Sequence, residues 1–166
     1  PDGVRASLLL RDNVRNRRTI EHAFLDALGH ARSDVLIAMA YFVPGRTFRR
    51  ALIECAQRGV RVRLLVQGRV EYALQHYGQE ALYGQLLAAG IEIHGYKESY
   101  PHAKVAVIDD RWSTVGSSNI DPYSLLLARE ANVAVCDTAF AHELRADLER
   151  AIDVGIDDAF RNAGQV

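Results

Sequence analysis

Apolar residues recur along the chain with two alternating periods. Short runs rich in Val, Ile and Leu are separated by stretches in which apolar residues fall three and four apart, the spacing of a helix with one buried face. A first strand is expected near Val4–Leu10. A helix follows from about Arg17 to Ala31, where Ile20, Phe24, Ala27, Leu28 and Ala31 share one side. Val35–Ala40 is continuously apolar, the pattern of a strand covered on both faces. Pro44-Gly45 marks a turn, and a helix from about Thr47 to Arg58 is expected to stop at Gly59.

Val60–Val66 reads as the next strand, with Arg61 and Arg63 alternating with apolar neighbours. A helical stretch over about Glu71–Ala89 ends at Gly90, and Ile91–Tyr96 returns as a strand. Ala103–Ile108 and Trp112–Val115 flank the polar Asp109-Asp110-Arg111 and form a hairpin. Ala131–Val135 is the last expected strand. Phe140, Leu144, Leu148 and Ile152, four apart, belong to a final helix. The alternation predicts an α/β fold with a mixed central β-sheet flanked by α-helices on both faces. One domain is expected over residues 1–155, with 156–166 as a frayed tail or linker remnant. No segment recurs as an internal repeat.

The bulk numbers fit this picture. The chain has 166 residues, 49% hydrophobic and 25% charged, enough for one compact core. No run reaches the roughly 20 apolar residues of a membrane-spanning helix. The opening on Pro1, with no signal peptide, points to a piece of a longer protein. Cys55 and Cys136 are the only cysteines and sit in apolar surroundings, so reduced, buried thiols are expected, with a cytosolic leaning.

The net charge of -1 conceals an asymmetry. Residues 1–69 hold 13 Lys and Arg against 6 Asp and Glu, a net of +7, and residues 70–166 hold 7 against 15, a net of -8. A basic first half suits an anionic partner such as lipid headgroups or nucleic acid; it equally suits arginines that coat solvated helix faces.

The segment with the most chemistry runs from His102 to Asn119. Residues two apart on a strand face the same way, so His102 and Lys104 project together while Ala103, Val105 and Val107 point oppositely. Ser117 and Asn119 repeat that spacing past the neighbouring strand, and Gly116 permits close backbone approach. An imidazole, an ammonium, a hydroxyl and an amide around one small volume suit a phosphodiester. The cation and the amide offset charge on the non-bridging oxygens, and the imidazole attacks phosphorus or moves a proton. By spacing alone, a structural histidine and a plain polar loop fit as well.

The full string H-x-K-x4-D-x6-G-S-x-N, from His102 to Asn119, resembles the HKD motif of the phospholipase D superfamily. The likeness extends over Ala40–Gly45, Gly59–Arg63 through Gln67-Gly68, and Gly116–Ser124 into Glu130-Ala131-Asn132, which look like the C-terminal half of bacterial cardiolipin synthases. Those enzymes have two HKD halves. The resemblance implies a phosphatidyltransferase in which His102 is either the nucleophile that becomes phosphohistidine or the acid that protonates the leaving alcohol. Lys104 and Asn119 would cradle the phosphoryl oxygens with Ser117 contributing, and Glu130 would orient the histidine. Asp109 matches the motif but lies at the far end of its strand, and is read as holding the hairpin. Two positions depart from the family pattern: Pro101 before the histidine, and Met39 where a polar residue is usual. The first removes a backbone donor that a strand start can spare, and the second changes packing.

The implied substrate is a phosphatidylglycerol-like phospholipid, with peripheral contact at the cytoplasmic side of the bacterial inner membrane and no cofactor. Metal is not expected either, since His22, His30, His76, His94 and His142 share no ligand spacing with the cysteines or one another. Five tyrosines (72, 77, 83, 96 and 100) either line a headgroup entrance or pack a helix on the sheet. Because the chain has one H-x-K only, a second HKD half or a homodimer partner is implied. A homodimeric nuclease, a phospholipase D hydrolase with water as acceptor, and an inactive isolated half remain as alternatives. The overall negative charge and the closer likeness to lipid enzymes disfavour nucleic acid.

Overall fold

The computed structural model describes residues 3–67, 82–96 and 102–157. In chain order the elements are β1 (Arg5–Arg11), α1 (Thr19–His30), β2 (Asp34–Met39), α2 (Arg46–Gln57) and β3 (Arg61–Gln67), then α3 (82–88) and β4 (Glu92–Tyr96). They continue with β5 (Lys104–Ile108), β6 (Trp112–Gly116), α4 (Pro122–Leu126), β7 (Glu130–Cys136), α5 (Thr138–Gly155) and β8 (Ile156–Asp157). The strands form one sheet in the order β1-β7-β6-β5-β2-β3-β4-β8. Only the β2–β3 and β3–β4 pairs are parallel, so the sheet is mixed, as expected.

β2 lies in the middle and explains its unbroken apolar run. Val35, Ile37 and Met39 join the core under α1 and α2, where Ile20, Phe24, Leu28, Phe48 and Leu52 are almost fully buried. Leu36 and Ala38 point to the other face and meet Leu148 and Ile152 of α5. Helices therefore cover both faces. The ring of Phe24 ties α1 to α2 through Phe48 (5.7 Å between centroids) and to β6 through Trp112 (5.5 Å).

Both glycine stops act as helix terminators. Gly59 has φ 85°, with its N–H donating to Ala56 O and that of Val60 to Cys55 O. Gly90, φ 82°, repeats the arrangement at the end of α3, so each helix closes with a Schellman motif. The hairpin between β5 and β6 turns on Asp109 and Asp110, with φ of 53° and 48°, closed by Arg111 N–H to Ile108 O. Two successive left-handed residues are the signature of a type I′ turn, which aspartate tolerates.

Three findings depart from the sequence reading. The five-residue α4 was not expected; Asp121 caps it by accepting from Ser124 N and Ser124 Oγ, with Pro122 following the cap. The sheet also continues past Gly155, where Ile156 and Asp157 pair with Tyr96 and Gly95. Cys136 is exposed, not buried, at the last position of β7. Cys55 is buried and its Sγ donates to Leu28 O.

Of the two readings of the basic first half, that of arginines engaged on the fold's own surface fits five of them. Arg61 pairs with Glu92, Arg63 with Asp34 and Glu149, Arg18 with Glu21 and Arg50 with Glu54. Arg58 donates to the carbonyls of Leu28 and Ala31.

Candidate active site

Two of the motif residues, Lys104 and Asn119, meet where β2 ends. Lys104 opens β5 directly across from Met39 and shares its face of the sheet. Met39 is 1% exposed and belongs to the core beneath α1 and α2. Asn119 reaches the same strand end, its Oδ1 accepting from Tyr41 N at 3.4 Å. The bridge between Phe42 and Ile120 holds those two segments together. Lys104 and Asn119 thus flank one strand end.

Lys104 is 6% exposed, and its ammonium donates to His102 O at 3.2 Å. Among the described residues it has no carboxylate in ion-pair range. Burial pulls its pKa below the ordinary lysine value, while the negative charges of Glu130 and Asp121 act in the opposite sense. A buried ammonium with a single neutral acceptor is costly unless an anion completes it. His102 stands just before β5 with its side chain exposed, and its imidazole has no hydrogen-bond partner among the described residues.

Glu130 does not orient that imidazole here. Its carboxylate accepts from Ser117 Oγ, which in turn accepts from Ala131 N at 3.1 Å. Ser117 and Glu130 form one side of the site, therefore, and His102 and Lys104 the other.

The residue that shapes the turn between them is Asn132, whose role sequence reading missed. It is 1% exposed and pairs across the ladder with Gly116. Its Oδ1 accepts from Ser118 N at 3.2 Å and its Nδ2 donates to Thr114 Oγ1 at 3.2 Å. A Cβ on residue 116 would sit 2.2 Å from Asn132 Oδ1 and 2.4 Å from Ala131 O, so only glycine fits. The requirement is close approach, with no left-handed backbone involved. The available signal was a lone asparagine at an inward position of an apolar strand.

Asp109 sits at the opposite end of β5, roughly 16 Å along the strand from Lys104. Its carboxylate accepts from Arg32 N, Ser33 N, Ser33 Oγ and Asp34 N at 2.7–3.0 Å, fastening the hairpin to the entrance of β2. Burial alone would raise its pKa, but the backbone N–H donors of Asp34, Ser33 and Arg32 prevail and lower it.

Pro101, Tyr72, Tyr77, Tyr100 and His76 lie outside the described residues. Tyr83 is buried in the core, as packing of the helix on the sheet requires. No group of His, Cys, Asp and Glu among the described residues is arranged to hold a metal ion. No helix among the described residues is long and apolar enough to cross a membrane.

The chain and its fold find counterparts among known proteins. Residues 24–152 match the family described as cardiolipin synthase, PLD-like domain. The chain is 43% identical to cardiolipin synthase B of Escherichia coli over 152 residues, 92% of this chain and 37% of that protein. It is 32% identical to a minor cardiolipin synthase of Bacillus subtilis over 131 residues, 79% of this chain and 33% of that protein. The chain thus spans about a third of the length of these relatives. Among solved structures, Nuc of Salmonella typhimurium, a phospholipase D family member, superposes with a TM-score of 0.79. It is 17% identical, and the overlap covers 93% of this chain and 98% of that one. The chain belongs to the phospholipase D superfamily, and within it to the cardiolipin synthase PLD-like domains.

Proposed function

We propose that this chain supplies one half of a phosphatidyl-transfer site, with His102 as its reacting imidazole and Lys104 and Asn119 holding the phosphoryl oxygens. The observation that carries the reading is the buried Lys104 ammonium, which among the described residues has only a backbone carbonyl as partner, at a strand end shared with Asn119. Such a cation is a preformed seat for a phosphate oxygen.

The chemistry needs two imidazoles. A neutral one attacks phosphorus and the P–O bond to the leaving alcohol breaks, its oxygen taking a proton from a cationic partner. The partner, now neutral, then accepts the proton of an incoming alcohol as that oxygen attacks phosphorus and the P–N bond breaks. His102 takes one of these roles and a histidine from a second HKD half, or from a second copy of the chain, takes the other. A phosphatidylglycerol-like lipid is the donor, and a second lipid hydroxyl is the acceptor.

Apolar surface supports both a partner and a lipid environment. Leu8, Val133 and Val115 form one exposed cross-strand row on the side that α5 leaves open. Near the site, Tyr41, Tyr123, Leu126 and Leu127 are each at least half exposed. Peripheral attachment at the cytoplasmic face of the inner membrane belongs to the same reading.

Phosphatidyl transfer by wild type and by His102→Ala tests it. The variant is expected to keep its fold and lose transfer. A variant that retains wild-type turnover would remove the proposal. Arg61 and Arg63 of the basic first half are paired with Glu92, Asp34 and Glu149, and DNA cleavage at low salt is expected to be absent.

A further inference from the structure

An open cleft of about 750 Å³ begins where the catalytic turn ends. Ser117, Glu130 and Ala131 form one wall, and the segment Leu10–Arg15 forms the other. The walls meet through the β1–β7 ladder, in which Leu10 faces Ala131 and Arg11 faces Glu130.

Three guanidinium groups border this cleft, and they are not equivalent. Arg11 is 3% exposed and fully engaged, donating to Leu125 O, Ala128 O and Asn13 Oδ1. Arg15 and Arg129 are exposed, and neither guanidinium has a hydrogen-bond or ion-pair partner among the described residues. The nearby carboxylates do not take them. Asp12 is occupied by the N–H groups of Val14, Arg15 and Asn16 and by Asn16 Nδ2, all at 2.7–3.1 Å. Those bonds also fix the backbone from which Arg15 projects. Glu130 is occupied by Ser117. With three cations against these two carboxylates, the cleft is net positive.

The same cleft is amphipathic. Leu10 is 47% exposed and Val14 is 79% exposed, and both line it beside the two open arginines. Apolar side chains next to cations suit a headgroup with the glycerol and first methylenes attached. A nucleic-acid phosphate would bring a sugar and a base, and no aromatic residue lines the cleft for stacking.

We propose that this cleft seats the acceptor lipid, Arg15 and Arg129 gripping its phosphodiester while its free hydroxyl reaches the phosphoryl group held by Lys104 and Asn119. The inference rests on the transfer reading and adds the place where the acceptor's phosphodiester is held and the two arginines that hold it. Two arginines without competing partners make charge-assisted, often bidentate bonds to such a group.

The test is titration of the protein with glycerophosphoglycerol, the acyl-free headgroup, followed by calorimetry and by backbone amide NMR. Glycerol and a short single-stranded oligonucleotide serve as comparison ligands. Wild type is expected to bind the headgroup, with shifts at residues 12–15 and 129–131, and to ignore glycerol. Arg15→Gln with Arg129→Gln is expected to weaken binding by roughly tenfold or more, with an unchanged circular dichroism spectrum. Lys104→Ala should still shift the cleft amides. Equal affinity in wild type and the double variant would overturn the proposal. So would equal binding of glycerol, or tighter binding of the oligonucleotide through the same two arginines. Failure of the transfer reading has a separate signature, the absence of phosphatidyl transfer by wild-type protein.

Discussion

Alanine at position 116 would bring a methyl carbon to 2.2 Å from Asn132 Oδ1, 2.4 Å from its Cγ and 2.4 Å from Ala131 O, where ordinary contact begins near 3.4 Å. The backbone oxygen can yield only by parting β6 from β7. The asparagine can yield only by giving up Ser118 N and Thr114 Oγ1, which it holds from a site 1% exposed. Overpacking of this kind costs about 1–3 kcal/mol, and two buried hydrogen bonds add about 1 kcal/mol each, so Gly116→Ala should cost roughly 3–5 kcal/mol. That is a large share of a small domain's stability. Urea denaturation read by circular dichroism measures it, together with Asn132→Ala and the double variant. Asn132→Ala alone should cost about 2 kcal/mol. In the double variant Ala131 O is the remaining obstacle, so the combined loss should fall short of the sum by about 1–2 kcal/mol. A Gly116→Ala variant within about 0.5 kcal/mol of wild type, or strictly additive losses, would refute the packing argument.

Other consequences are as direct. Asp109→Asn should lose about 2 kcal/mol of stability, since it weakens a carboxylate with four hydrogen bonds. Because the folded pKa of Asp109 is lowered, the wild-type advantage should be complete above the unfolded value near about 3.9 and vanish as pH falls through the lower folded one; a pH-independent difference would contradict this. Arg145→Met strips Asp34 and Asp110 of a shared cation and should cost about 2–3 kcal/mol by denaturation. The figure lies under that for fully buried pairs because Asp110 is 39% exposed. A thiol-reactive chromophore should label one cysteine per native chain, Cys136. Cys55, whose pKa burial raises, should react only on unfolding.

Long elements with strong periodicity could be read from the chain because each carries its own evidence. α1, α2 and α5 repeat their buried positions every three or four residues, and β2 is apolar from Val35 to Met39 because both faces are covered. α4, five residues long, is too short to show a period, and only Asp121, Pro122 and Ser124 hinted at it. The fate of the arginines was not legible, since pairing depends on register between distant segments. Arg61 meets Glu92 across β3 and β4, and Arg63 meets Asp34 across β2 and β3. At the candidate site, the H-x-K string singled out His102 and Lys104, of which Lys104 is buried and His102 exposed, but nothing local marked Asn132 as the side chain that fills the space Gly116 leaves. That contact forms only when β6 and β7 align.

The central claim is that this chain holds one imidazole of a two-imidazole site. Phosphatidyl transfer measured across the fractions of a sizing column, with light scattering on each, tests it most directly. Turnover is expected only in species that bring two H-x-K pairs together, a dimer of this chain or its complex with a second half, and it should disappear with His102→Ala. Sustained turnover by a monomer carrying His102 alone would contradict the account.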